Sequence, residues 1–259
     1  MATILFHEIV YGPVYSRRMG TSLGINLLPV DGKYCSFDCI YCECGFNNDF
    51  RTKTKLPSRE NVHAALEEKL QSLQKENVEP DVITFAGNGE PTIHPQFQEI
   101  INDTILLRNL WATEAKINVL TNGMNVDKEP VFNALQKIDN PILKLDSAFN
   151  ETVRLIDQPN SPNYSVAKQV ERYKRFNGNF VLQTMFLRGE FDGKTVDNCS
   201  EEEIRAWLEI IKMLRPREVM IYTISRETPA KQLEKVSICE LHYIAERVEA
   251  LGIKTIVAG

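Results

Sequence analysis

Seven short runs of apolar residues recur along the chain, and they predict strands. Near-continuous apolar runs of four to eight residues are typical of strands that are covered on both faces of a parallel sheet. The predicted strands are GINLLP (24–29), VITFAG (82–87), INVLTNG (117–123), ILKLDS (142–147), FVLQTMFL (180–187), EVMIYTI (218–224) and KTIVAG (254–259).

Between most of these runs, apolar residues recur every three or four positions, which predicts amphipathic helices. Ser58 is placed to cap the first helix, and capping boxes begin two later ones at Ser200-x-x-Glu203 and Ser237-x-x-Glu240. The apolar stripes cover 62–73, 97–105, 131–138, 166–173, 204–211 and 241–251.

The alternation of strands and helices predicts an α/β fold with a parallel sheet and right-handed crossovers. Six βα units and one last strand are too few for an eight-fold barrel, which usually takes about 250 residues or more. We therefore expect a partial parallel barrel of the (β/α)6 type or an open curved sheet.

Polar side chains follow the predicted strands, at the edge where parallel sheets usually bind ligands. Polar residues are common in loops, so their position after the strands is weak evidence for a site by itself. It becomes stronger together with the nearby cysteines. The residues are Asn88 and Glu90, Asn122, Asp146 and Ser147, Arg188 and Glu190, and Ser225 and Arg226.

Composition and charge narrow the class of protein. The formal net charge is −5, so the chain lacks the overall positive field that attracts nucleic acid. Arg17-Arg18 and the RTKTK segment (51–55) are local basic patches, and a solvated surface is the favoured interpretation of the second. No apolar run is long enough to span a membrane and the N-terminus does not resemble a secretory signal, so we expect a cytoplasmic protein with no membrane partner.

Four of the six cysteines fall within the segment KYCSFDCIYCECGFN (33–47). In reducing cytosol, clustered cysteines more often bind metal than form disulfides. The spacing C-x3-C-x2-C at Cys35, Cys39 and Cys42 suits soft thiolate ligation. A structural zinc site usually has a second pair of ligands elsewhere, whereas an iron–sulfur cube is large enough for one loop to wrap.

The remaining cysteines leave alternatives open. Cys44 could be a fourth ligand that closes the cluster, a bystander, or a thiol directed at a substrate. Three ligands on a four-iron cube would instead leave one iron free to bind a substrate or cofactor. Cys199 and Cys239 lie far from the segment, and we interpret each as a small buried apolar residue.

The C-x3-C-x2-C motif, with the aromatic Tyr41 before its last cysteine, resembles the signature of the radical S-adenosylmethionine (radical SAM) superfamily. The resemblance implies a [4Fe-4S] cluster on Cys35, Cys39 and Cys42, with SAM bound to the fourth iron. It also implies reductive cleavage of SAM to a 5′-deoxyadenosyl radical that abstracts hydrogen from a substrate. An electron donor of the flavodoxin or ferredoxin type is then expected as a partner.

A second block, TFAGNGEPTIHP (84–95), resembles the Gly-Gly-Glu-like turn of the same superfamily. The implied role of Gly87, Asn88, Gly89 and Glu90 is to hold the amino group of SAM through backbone groups and the Glu90 carboxylate. A carboxylate beside an ammonium is physically sensible. The alternative is a plain glycine-rich turn that ends in a proline.

Longer blocks at 11–45, 143–159 and 221–231 are similar to the group that includes the wyosine-forming tRNA enzymes. The resemblance implies one radical SAM core domain over 1–259, with a lead-in at 1–23, a C-terminal helix and strand at 238–259, and the cluster-binding loop after the first strand. Further candidates for the SAM site are Tyr41, Asn122, Asp146 and Ser147; candidates for substrate contacts are Ser16, Arg17, Arg18, Gln183 and Arg188.

The substrate stays open at this point. A tRNA is possible by family analogy, but the net charge argues mildly against it, and a peptide or small molecule is equally admissible. A closed-cluster electron-transfer protein and a zinc-stabilised interaction module are the competing classes.

Overall fold

The computed structural model describes residues 4–16, 20–49 and 52–259. Within these ranges ten strands form one connected sheet. They are β1 (Val10–Ser16), β2 (Gly20–Ile25), β3 (Val82–Phe85), β4 (Lys116–Thr121), β5 (Asn140–Lys144), β6 (Val181–Phe191), β7 (Lys194–Asp197), β8 (Glu218–Thr223), β9 (Gln232–Lys235) and β10 (Lys254–Ala258).

Seven helices connect or flank the strands in the same ranges. They are α1 (Arg59–Lys75), α2 (Phe97–Trp111), α3 (Glu129–Leu135), α4 (Asn150–Ile156), α5 (Val166–Lys174), α6 (Glu201–Leu214) and α7 (Ile238–Glu249), with a short 3-10 turn at Pro91–Ile93. None of the helices in the described part of the chain has the length and apolar character that crossing a bilayer requires.

The sheet is mainly parallel and open. Its order is β1-β2-β3-β4-β5-β6-β8-β10, and the seven strands from β2 to β10 along this path are parallel. β1 adds an antiparallel edge beside β2, and among the described strands β1 and β10 end the path without pairing to each other. The predicted α/β partial barrel is confirmed.

Side chains alternate between the two faces of the sheet, and one face packs against the main set of described helices. The main apolar core lies between the strands and the helices. It includes Ile25, Phe85, Val119, Leu143, Leu182 and Val219 from the strands. The opposite face, which we call the inner face, carries Met185 and Leu187, and Ile40 and Tyr41 of the loop after β2 and Ile156 of α4 pack against them.

All seven predicted strands are present, but three further strands were missed. The β7 and β9 segments, KTVD and QLEK, have almost no apolar pattern, and they exist because they pair with the extended end of β6. β1 was missed because Gly12 and Pro13 interrupt it. The first parallel strand also begins earlier than predicted and ends at Ile25, since the Asn26 side chain accepts a hydrogen bond from Leu28 N (3.2 Å) in a local turn.

The helix caps are partly as predicted. Ser58 caps α1, and the Ser237 capping box on α7 is complete. Ser200 caps α6, but the Glu203 carboxylate turns away to Ser147 Oγ (2.6 Å) instead of returning to the cap. The predicted capping box at α6 is therefore wrong in its second half, because a tertiary partner takes the carboxylate.

Candidate active site

The cysteine loop (residues 33–45) follows β2, the first parallel strand. Its chain turns back at the cysteines, where Cys42 N donates to Cys39 O (3.1 Å) and Gly45 N donates to Cys42 O (2.9 Å). All four thiols are free of disulfides, and Cys44 is more buried than the other three. One short loop therefore presents several thiols at the carboxyl edge of the sheet.

A buried lysine lies among these thiols. The Lys33 ammonium donates to Gly45 O (2.8 Å) and to Asp38 Oδ1 (3.1 Å), and its side chain is only 1% exposed. Burial alone would lower the pKa of Lys33, but the neighbouring thiols and Asp38 raise it above its usual value. Lys33 therefore supplies a positive charge inside the loop, a role that its sequence context did not reveal.

The three motif thiols have different environments. Burial raises the pKa of Cys35 to about 12 and raises that of Cys39 well above its usual value. The pKa of Cys42 is lowered to about 6, first by a hydrogen bond from Cys44 and then by Lys33. Without a metal, thiolate character is thus concentrated at Cys42.

The Gly-Asn-Gly-Glu turn (residues 87–90) docks directly on the cysteine loop. Tyr34 N donates to Asn88 O (2.8 Å), and Glu90 N donates to Tyr34 O (3.3 Å). Gly89 has a φ of +137°, and a Cβ there would collide with the carbonyl oxygen of Tyr34. The glycine is required by this close approach of two backbones.

The Asn88 side chain is engaged by the chain's own N-terminal segment. Its Oδ1 accepts from Phe6 N (2.9 Å), and its Nδ2 donates to Phe6 O (2.9 Å) and to Pro29 O (2.8 Å). Ile4 N also donates to Glu43 O (2.9 Å) in the cysteine loop. This N-terminal strap (residues 4–9) ties the turn to the loop.

The Glu90 carboxylate is buried and held by neutral donors. Oε1 accepts from Thr92 N, Thr92 Oγ1 and Thr121 Oγ1 (3.1, 2.5 and 2.7 Å), and Oε2 accepts from Asn122 N (2.7 Å). Burial raises the pKa of Glu90, and these hydrogen bonds oppose the rise. Oε2, with a single hydrogen bond among the described residues, keeps the greater capacity for a further donor.

Asn122 connects this turn to the first cysteine. Its Nδ2 donates to Ser36 Oγ (2.9 Å) and lies 3.7 Å from Cys35 Sγ. The structure therefore brings Glu90, Asn122 and Cys35 together, as their positions after neighbouring strands suggested.

Tyr41 and Asp146 meet on the other side of the loop. Tyr41 OH donates to Asp146 Oδ2, and Lys144 Nζ lies 2.5 Å from Asp146 Oδ2 and 3.3 Å from Asp157 Oδ1. Asp157 in turn lies 3.5 Å from Cys39 Sγ. We call Tyr41, Lys144, Asp146 and Asp157 the acid–lysine group.

The protonation of this group follows from its burial. Burial, and then the neighbouring Asp146 charge, raise the pKa of Asp157 well above its usual value. Burial would lower the pKa of Lys144, but the two carboxylates raise it well above its usual value. Lys144 and Asp157 were not predicted from the sequence, although Lys144 and Asp146 lie two positions apart in the ILKLDS run and so share a face of the strand.

The remaining predicted residues do not contact the cysteine loop or lie outside the described residues. Ser147 Oγ donates to Glu203 on α6 (2.6 Å), and Arg188 pairs with Glu240 (2.9 Å) and Asp197 (3.5 Å), so neither is directed at the cysteine loop by these contacts. Gln183 is buried on the inner face of the sheet. Arg17, Arg18 and the side chain of Ser16 lie outside the described residues.

The other cysteines differ in their surroundings. The Cys44 thiol donates to Gly87 O (3.5 Å) in the Gly-Asn-Gly-Glu turn. Cys199 is buried against Leu187 O (3.7 Å), as expected for a small apolar residue. Cys239 is exposed at the start of α7, so its interpretation as a buried residue is wrong.

The donor set fits an iron–sulfur cluster by its chemistry. Three unpaired thiols from one loop are soft ligands, and the Lys33 ammonium nearby would offset their negative charge. No three His, Cys, Asp or Glu side chains of the described ranges are grouped so as to hold a single metal ion.

An open parallel α/β sheet with a three-cysteine loop after its first parallel strand defines the class of protein. The sequence from residue 30 to 201 matches the model of the Radical SAM superfamily, which is more than half of the chain. The chain belongs to the radical SAM superfamily. Membership implies a [4Fe-4S] cluster and S-adenosylmethionine as cofactors.

Two relatives are similar over most of this chain. The protein named GTPase Obg of Brachyspira hyodysenteriae is 31% identical over 93% of this chain, which spans only 33% of that protein. The UPF0026 protein MJ1312 of Methanocaldococcus jannaschii is 30% identical over 89% of this chain and 68% of its own length. The chain thus spans between a third and two thirds of these relatives.

Solved structures confirm the fold. A radical SAM methyltransferase from Sphaerobacter thermophilus aligns over 92% of this chain and 65% of its own, with a TM-score of 0.66 and 14% identity. TYW1, a wyosine enzyme solved with a lysine-pyruvate adduct, aligns over 90% of this chain and 74% of its own, with a TM-score of 0.59 and 16% identity.

Proposed function

We propose that the protein is a radical SAM enzyme in which Cys35, Cys39 and Cys42 hold a [4Fe-4S] cluster. The observation that carries the proposal is the placement of these three free thiols between the Gly-Asn-Gly-Glu turn and the acid–lysine group, at the carboxyl edge of the parallel strands. When bound, the cluster and SAM supply a 5′-deoxyadenosyl radical, which abstracts hydrogen from the substrate.

In this proposal, the chain's own residues bind and orient the cluster and SAM. Glu90 Oε2 has hydrogen-bonding capacity left for an ammonium, which supports its role at the amino group of SAM. Lys33 offsets thiolate charge within the loop, and Asn122 fixes the loop beside Cys35. The N-terminal strap and the Gly-Asn-Gly-Glu turn hold the loop through backbone hydrogen bonds.

The proposed chemistry needs an electron from a partner protein. We propose a cytoplasmic enzyme that receives its electron from a small donor of the flavodoxin or ferredoxin type. The donor's electron goes to SAM, the resulting radical removes a hydrogen atom from a C–H bond of the substrate, and a tRNA is a candidate substrate by analogy alone.

The decisive experiment is EPR of the anaerobically reconstituted, reduced protein with and without SAM. A [4Fe-4S]⁺ signal that changes on SAM addition, together with 5′-deoxyadenosine in the products, is expected. A cluster signal that ignores SAM, with no 5′-deoxyadenosine, would overturn the proposal.

A closed, electron-carrying cluster is the second candidate, because Cys44 lies close enough to hydrogen-bond with Cys42. The Cys44→Ala variant separates the two. Under the enzyme proposal the cluster and its response to SAM survive, since the Cys44 contact with Gly87 supports a place outside the ligand set. Cys199→Ala, also buried but remote, is the matched control.

A further inference from the structure

Cys42 and Cys44 lie in one tight turn of the cysteine loop, and we call them the turn pair. Gly45 N donates to Cys42 O (2.9 Å), so the two cysteines are the first and third residues of a four-residue turn closed by a hydrogen bond. Their side chains hydrogen-bond to each other. A disulfide joins Cα atoms about 4.4–6.8 Å apart, and two positions of chain span at most about 7 Å, so the turn keeps the pair within bonding range.

The four thiols of the loop differ in their partners. The Cys39 thiol donates to Asp157 Oδ1 (3.5 Å), and Cys35 Sγ lies 3.7 Å from Asn122 Nδ2. The sulfurs of the turn pair instead contact each other. Among the described contacts of the loop, this pair is therefore the one best placed to be oxidised to a disulfide.

The turn pair combines a reachable sulfur with a protected one. Cys42 is partly exposed, and the Lys33 ammonium lies within hydrogen-bonding reach of its sulfur. A partly exposed sulfur beside a positive charge is the usual setting of a cysteine that reacts with oxidants. Cys44 is buried and donates to Gly87 O (3.5 Å), so it is placed as the second thiol, which resolves the oxidised form of the first.

Cluster binding and pairing exclude each other. In the proposed enzyme Cys42 is a ligand of the cluster, and Cys44 lies outside the ligand set. The sulfur of Cys42 is therefore free to pair with Cys44 only in the cluster-free protein. This chemistry goes beyond the proposed reaction, because it uses no SAM and takes place when the cluster is absent.

We propose that Cys42 and Cys44 form a reversible disulfide when hydrogen peroxide meets the cluster-free protein. Peroxide oxidises the Cys42 thiol to a sulfenic acid and is itself reduced to water. The Cys44 thiol then attacks the Cys42 sulfur, the S–S bond forms, the S–O bond breaks, and the hydroxyl leaves as a second water. The disulfide prevents irreversible oxidation of Cys42, and a thiol reductant returns both thiols for cluster loading.

The test maps the oxidised thiols of the cluster-free wild type. Fully reduced protein is treated with hydrogen peroxide, its free thiols are blocked with iodoacetamide, and thiols released by dithiothreitol are labelled with N-ethylmaleimide. Tandem mass spectrometry then reads the four cysteines of the tryptic peptide 34–51. We expect N-ethylmaleimide on Cys42 and Cys44, and iodoacetamide on Cys35 and Cys39. N-ethylmaleimide on another pair, or on none of the four, would overturn the inference.

The Cys44→Ala variant tests the protective step. Without the second thiol, Cys42 should proceed to sulfinic acid, which dithiothreitol does not reverse. After peroxide and dithiothreitol, we expect the wild type to bind as much iron on reconstitution as untreated protein does, and the variant to lose most of its own untreated iron content. Cys199→Ala, buried but remote, is the control and should recover as the wild type does. Equal recovery by Cys44→Ala and the wild type, or sulfinic acid at Cys42 of the wild type, would contradict the proposal.

Discussion

Two sets of buried carboxylates flank the cysteine loop, and the protein holds them in different ways. Glu90 is fixed by hydroxyls and backbone N–H groups, which bring no opposing full charge. Asp146 and Asp157 instead share one ammonium, that of Lys144. Neutral donors orient a carboxylate and leave its negative charge available to a ligand. In a buried ion pair the partner cation already neutralises that charge. The Glu90 flank is therefore suited to bind a cation. The Asp146–Asp157 flank is suited to hold Cys39 and Tyr41 in position.

The largest effect should come from removing the shared cation. Lys144→Met leaves two buried carboxylates without an opposing charge, although Tyr41 OH and Met185 N still donate to Asp146. We expect it to lower the free energy of unfolding by about 3–5 kcal/mol. Urea denaturation of the cluster-free protein measures this. Lys137→Met, which removes an exposed lysine bonded to Asn102, should cost no more than about 0.5 kcal/mol.

A second substitution tests whether uncompensated charge causes the loss of stability in the Asp146–Asp157 flank. Adding Asp157→Asn to Lys144→Met should recover part of the stability, because it removes one uncompensated charge. A loss for Lys144→Met no larger than that for Lys137→Met would show that the buried pair is not what holds this flank.

Glu90→Gln should have a smaller effect. The amide nitrogen cannot accept from Asn122 N, so one buried donor is left unpaired at a cost of about 1–3 kcal/mol. The same denaturation experiment applies, with the exposed Glu68→Gln as the control. A loss equal to that of Lys144→Met would erase the distinction between the two flanks.

The pH dependence of stability gives a finer test of the Glu90 flank. Burial raises the folded pKa of Glu90 above the unfolded value of about 4.3. A raised folded pKa means that this contribution to stability is complete below the unfolded pKa and is lost as pH rises through the folded one. The stability of the wild type minus that of Glu90→Gln should therefore fall as the pH rises above the unfolded pKa of about 4.3. A flat or rising difference would contradict the raised pKa.

Lys33→Met should lower the stability of the cluster-free protein less than Lys144→Met does, since the carboxylate it leaves, Asp38, is partly exposed to water. Its effect is expected on the reconstituted cluster. Loss of a nearby positive charge favours the oxidised form, so the reduction potential should fall in an EPR-monitored titration. The potential of Lys53→Met, an exposed lysine outside the loop, should match the wild type.

Much of the architecture could be predicted because the parallel strands carry their own signal. Each is a short apolar run, and Cys35, Glu90, Asn122 and Asp146 follow such runs at one edge. The antiparallel additions β7 and β9 could not be predicted, since their stability comes from pairing with β6 and not from their composition.

The buried charges were the hardest part of the site to predict. A lysine in a sequence is normally a surface residue, and only tertiary partners reveal Lys33 and Lys144 as buried. Asp157 follows α4, a helix of two turns that the apolar pattern did not indicate. Ser147 shows the reverse case, because its position after β5 suggested a ligand contact while Glu203 takes its hydroxyl.

The contacts of the cysteine loop also set the order in which the molecule can be assembled. Cys44, Cys35 and Cys39 find partners at Gly87, Asn122 and Asp157, which lie 43, 87 and 118 residues further along the chain. Such distant contacts form only after the intervening strands have closed their loops, at an entropic cost that the sheet must first offset. The positions of the thiols thus depend on contacts with the surrounding sheet and its loops, whereas the fold of small zinc domains depends on the metal.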